Sequence, residues 1–173
     1  AFELSDADDH LARGAAAGLS GLASWTIGDL GSAHESWTQA VASLDRAAHV
    51  ADAMGGSIAL AGIMIAQGHL GDAAGVFESR LARAAAGSPA GIRGVGDMHV
   101  GLAGVLCERG DVAAAREHLN ANRALGEAAG MPQNPYRSRV AAAQVEAEET
   151  AARAATRVLL CDTDVLTTHL YAR

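Results

Sequence analysis

Seven histidines, two cysteines and several clustered acids are the side chains here with the chemistry to hold a metal or move a proton. A structural or catalytic metal needs three or four converging ligands, and paired helical ligands stand four residues apart. His10, His34, His49, His69, His99, His118 and His169 never fall at that spacing. Cys107 and Cys161 form neither a CxxC nor a Cys-His pattern, and His99 and Cys107 have no third ligand beside them. No metal site is therefore expected. Gly18-Leu19-Ser20-Gly21-Leu22 comes near the nucleophile elbow of a serine hydrolase, but it lacks the final glycine and a preceding strand. Small residues that let two helices approach closely explain it more simply. Asp8-Asp9 suits a helix N-terminus, and Glu146, Glu148 and Glu149 read as a solvated helix face. No catalytic residue and no cofactor is assigned.

Side chains that bind rather than react are easier to name. Only 3% of the chain is aromatic, which draws attention to Trp25 and Trp37, twelve residues apart across a glycine. Core packing is the default for both, and contact with a ligand is the alternative. Tyr136 and Arg137, just after a proline-rich turn, offer a second surface.

The elements that must carry these residues follow from composition and repetition. Half of the 173 residues are apolar, the alanine content favours closely packed helices, and the length suits one domain. Three segments share one pattern: Gly28-Asp29-Leu30 with Ala33 and Trp37, Gly68-His69-Leu70 with Ala73 and Phe77, and Gly110-Asp111-Val112 with Ala115 and Leu119. A glycine closes one helix, a small alanine lets the next approach, and a bulky side chain fills the groove between units. Helices are expected at 9–27, 32–54, 56–67, 71–86, 94–109, 112–129 and 134–158. Gly55-Gly56, Gly87-Ser88-Pro89 and the segment from Gly130 to Pro135 punctuate them, and 87–96 reads as the most flexible loop. The fold class is all-α: tetratricopeptide-like antiparallel helix-hairpin repeats in a short right-handed solenoid. Residues 1–155 form the repeat domain and 156–173 an atypical tail, which caps the array, pairs with another chain or results from truncation.

Leu60-Ala61 and Leu102-Ala103, before the second and third glycines, resemble the tetratricopeptide repeat, with units longer than usual. Four stretches give a closer likeness: 10–17, Ile58-Ala59-Leu60-Ala61 with Ala66-Gln67-Gly68, Asp97-Met98-His99-Val100-Gly101-Leu102, and Met131-Pro132-Gln133-Asn134-Pro135-Tyr136-Arg137. Over roughly residues 2–147 the chain resembles the repeat region of bacterial LuxR-family transcriptional regulators of the maltose-regulon-activator type. That resemblance implies a regulatory sensor and interaction segment without the ATP-binding and DNA-binding modules that flank it, and the chain reads as a piece of a longer regulator.

A formal charge of −7 without a basic cluster argues against direct nucleic-acid contact by this segment. No run is long and apolar enough for a membrane span, and the first nine residues lack the form of a signal peptide, so a cytoplasmic chain is expected. The expected partner is a protein or a small-molecule effector, with a homodimer through exposed helix faces as a further possibility. The candidate groove residues, on inner helices 9–27, 56–67 and 94–109 and on the last turn, are Trp25, Met64, His99, Arg109, Tyr136 and Arg137. The alternative reading is a free-standing hydrolase-type enzyme built on a helical repeat fragment, which predicts a Ser-His-acid cluster in one pocket.

Overall fold

The computed structural model describes residues 9–86 and 92–155. They form α1 (His10–Thr26), α2 (Leu30–Arg46), α3 (Val50–Ala66), α4 (Leu70–Ala86), α5 (Val95–Glu108), α6 (Val112–Leu125) and α7 (Asn134–Ala154), with a one-turn 3-10 helix at Glu127–Ala129. No strand occurs among the described residues. Each helix from α1 to α5 packs on the next, α5 packs on α6, and α7 closes against both α5 and α6. The result is an all-helical array of tetratricopeptide-like hairpins, as the repeated glycines predict.

The first four helices begin at His10, Leu30, Val50 and Leu70, an interval of 20 residues, with three-residue junctions. At Gly28, where φ is +81°, the amide donates to the Trp25 carbonyl while the Asp29 amide donates to that of Ser24. These paired bonds are a Schellman closure, which needs one left-handed residue. The same pair recurs at Gly68 and Gly110. Asp29 then starts α2, its carboxylate accepting the Ser32 amide at 3.0 Å, and that bond holds its carboxyl below the usual range. Asp111 caps α6 the same way through the Ala114 amide. One short junction thus ends one helix and begins another.

Three sequence expectations are corrected. The second helix does not run to 54: it stops at Arg46, and α3 starts at Val50 rather than at residue 56. Ala47-Ala48-His49 forms the same closure, with Ala48 in the left-handed region at φ +59°. Alanine is the best helix former, so its presence conceals the break. Gly55-Gly56 is no connection but lies inside α3, where a Cβ on Gly56 would come within 3.0 Å of Val41. The glycine there serves close approach between α2 and α3. Of the loop expected at 87–96, residues 87–91 and the tail from 156 lie outside the described residues, while Val95 and Gly96 already belong to α5.

The core follows the small-and-large rule. Ala33, Ala73 and Ala115, each five residues after its glycine, are fully buried; Phe77 and Leu119 are buried beside them, and Trp37 is half-buried. Phe77 lies against Gly101 of α5 so closely that a Cβ there would meet its ring, and the Trp37 ring covers Gly21 of α1, the residue after Ser20 in the elbow-like stretch. Three helices are also tied by a polar network. Arg80 of α4, with a side chain 8% exposed, grips both carboxylate oxygens of Asp45 on α2 at 2.7 and 3.0 Å. Its Nε donates to the Ser57 hydroxyl of α3 at 2.8 Å, which in turn donates to the Ala53 carbonyl. Burial pushes the Asp45 carboxyl up, but the hydrogen bonds from Arg80 and Arg83 outweigh it and hold the group below the ordinary range.

Candidate binding groove

Residues of α1, α3, α5 and α7 border one groove of about 560 Å³. Its floor is made of small residues, Gly55, Ala59 and Gly62 of α3 and Gly101 of α5, and Trp25, Ile58, Ile65 and Arg137 rise around it. Small residues on the floor leave the helix backbones near the surface, and bulky ones at the rim give depth. The Trp25 ring leans on Gly62, where a Cβ would sit 3.4 Å from Cη2. One 20-residue interval doubled separates α1 from α3, so Leu19 and Leu22 stand where Ala59 and Gly62 stand one unit later. Both leucines are exposed, 69% and 50%, and of α1 only Trp25 borders the groove.

The polar end of the groove is anchored from beneath. Asp97 of α5 is fully buried and accepts the Met131 amide at 2.7 Å and Arg137 Nη1 at 3.0 Å. A buried carboxylate requires such partners. The pair fixes the α6–α7 linker and sets Arg137 at the groove wall. Met131, from the same linker, reaches over Gly55 and Gly94 and closes that end.

A second cluster lies between α5 and α6. Nδ1 of His99 and Nδ1 of His118 are 2.8 Å apart and the ring centroids 5.1 Å. One nitrogen must donate and the other accept, so at least one ring is neutral and protonating both would break the contact. Burial pushes His99 below the ordinary histidine value, helped by His118; burial likewise lowers His118 against the opposing pull of Glu117 and Glu78. Among the described residues no three His, Cys, Asp or Glu side chains converge on a metal position. No helix among them is long and apolar enough to cross a membrane.

Of the sequence-selected residues, Trp25 and Arg137 border the groove. The other four sit elsewhere. The groove takes Gly55, Ile58, Ala59, Gly62 and Ile65 of α3, a helical phase that Met64 misses, and Met64 packs instead against the cluster around Phe77. His99 is engaged with His118, Arg109 is the exposed C-cap of α5, and Tyr136 is 67% exposed on α7. The residues that sequence reasoning missed are the small ones of the floor. Their signal was positional: Ala59 and Gly62 lie forty residues after Leu19 and Leu22, but a glycine or alanine in an alanine-rich helix attracts no notice alone. Ser20 is exposed on α1, and no hydrogen-bonded Ser-His-acid set is found among the described residues.

No curated protein and no solved structure matches the chain. A family model described as "MalT-like TPR region" matches residues 1–171, a span that runs past Ala147 where the likeness read from the residues ends. With hairpins closed by Schellman turns, buried alanines at a fixed offset from each turn and a match over nearly the whole length, the chain belongs to the MalT-like TPR region family.

Proposed function

We propose that this chain is the sensor and interaction domain of a LuxR-family transcriptional regulator working in the cytoplasm, and that a protein segment or small effector binds in the groove bordered by Trp25 and Arg137. The observation that carries the proposal is the groove itself: an apolar concavity with a glycine-rich floor, one buried-anchored arginine and one large aromatic. Those are the components of a recognition site rather than of a reaction centre. The LuxR assignment rests on the resemblance at 10–17, 58–61 with 66–68, 97–102 and 131–137. No observation favours the hydrolase reading.

The test is a thermal-shift screen of effector compounds and of peptides from candidate partners, run on the chain and on Gly62→Leu, which fills the floor beneath Trp25. Compounds or peptides that raise Tm in the parent and not in Gly62→Leu are expected. Hits that stabilise both chains equally, or none at all, would sink the assignment of this groove.

A further inference from the structure

α7 has two apolar sides, and the array uses one of them. Asn134, Ala141 and Val145 are buried against α5 and α6. On the opposite side Tyr136, Val140, Ala143, Ala147, Thr150 and Ala154 are all exposed, Tyr136 at 67% and Val140 at 43%. They are spaced four, three, four, three and four residues apart, the seam by which two helices pair along their length. The seam is graded. Its N-terminal half is bulky and flanked by Arg139, whereas its C-terminal half is small and flanked by Glu146. Arg139 and Glu146 are exposed and make no ion pair among the described residues, unlike Arg137, which holds Asp97, and Glu149, which holds Arg116 and Arg153.

A surface graded in both size and charge is complementary to itself when turned end for end. We infer that α7 pairs antiparallel with α7 of a second copy of this chain, about a two-fold axis between Val140 and Ala143. Tyr136 then lies over the partner's Ala147, and Val140 over the partner's Ala143. Arg139 meets the partner's Glu146 twice, once on each side of the axis, as an isologous interface requires. A parallel pairing would set tyrosine on tyrosine and arginine on arginine. Four apolar layers make a short interface, so a dissociation constant on the order of 10–100 µM is expected. This surface is separate from the groove, and the inference stands whatever the groove binds.

Sedimentation equilibrium of the full chain from about 5 µM to about 1 mM tests it. A monomer–dimer equilibrium is expected. Arg139→Glu and Glu146→Arg should each weaken it at least about fivefold, because each creates two like-charge contacts. Arg139→Glu with Glu146→Arg should restore the parent affinity. The two positions are seven residues apart on one helix, so restoration has to come from contacts between copies. A mass that stays monomeric across the range overturns the inference and points to another occupant of the seam, such as residues 156–173. A dimer indifferent to the single swaps, or one that the double swap fails to restore, overturns it equally.

Discussion

At the scale of single residues, two positions carry measurable consequences. The His99–His118 contact is lost when both rings are protonated, and burial holds both below the ordinary value of 6.5 in the folded chain. The unfolded chain therefore binds more protons just below that value, and the pair's contribution is present at higher pH and lost as pH falls through it. Tm is expected to drop between about pH 7.5 and about pH 5.5, and to drop less in His118→Gln, as thermal melts across the range would register. Ala48 is the other position. It alone among the four junction residues at positive φ, Gly28, Ala48, Gly68 and Gly110, carries a Cβ. A left-handed alanine costs about 1–2 kcal/mol, partly offset by the greater freedom of glycine in the unfolded chain, so Ala48→Gly should stabilise by about 0.5–1 kcal/mol in urea denaturation. An unchanged midpoint would mean that the junction is not held in this conformation.

Elements are joined here by alanine-thin contacts and by a few buried polar ties, and the ties are the more sensitive of the two. Arg80→Met removes the group that satisfies Asp45 and Ser57 together and leaves α2, α3 and α4 without their shared node. Because Arg83 still reaches Asp45 and that carboxylate is partly exposed, a loss of about 3 kcal/mol is expected, at the lower end for breaking a buried pair. Gly101→Ala adds one methyl against the Phe77 ring and should cost about 1–3 kcal/mol through overpacking between α4 and α5. The sequence showed the glycine-closed junctions because a left-handed turn has one preferred residue. It concealed the junction at Ala48, where an equivalent turn is made by a residue that reads as helix. It also misled at Gly55-Gly56, since a glycine that admits a neighbouring helix looks the same in a sequence as one that ends its own. The His99–His118 pair was hidden for a different reason: nineteen residues separate the two, and only the register of the α5–α6 hairpin brings them together.

For the whole molecule, the hairpin order was legible because each unit repeats the same physical solution, a turn, a small contact and a large plug. The groove was legible only in part. Trp25 and Arg137 could be picked out as scarce or charged side chains near turns, but the floor is defined by what is missing, and absence of bulk becomes visible only when α3 is placed beside α1 and α5. If the groove and the α7 seam both operate, binding and pairing use different faces of the array, and Gly62→Leu should leave the monomer–dimer equilibrium unchanged in sedimentation. A shift in that equilibrium would show that the two faces communicate.

The two tryptophans stand in different surroundings, and light can tell them apart. Trp25 is 38% exposed at the groove's rim, while Trp37 lies over glycines of α1 and α3 with its Nε1 buried and without a hydrogen-bond partner. The chain thus carries its own pair of emitters: a red-shifted one open to a dissolved quencher, and a blue-shifted one largely shielded. Anything that enters the groove should dim or shift the first and leave the second untouched, whereas loosening of the first hairpin should move the second, so one emission spectrum separates occupancy from unfolding without a label.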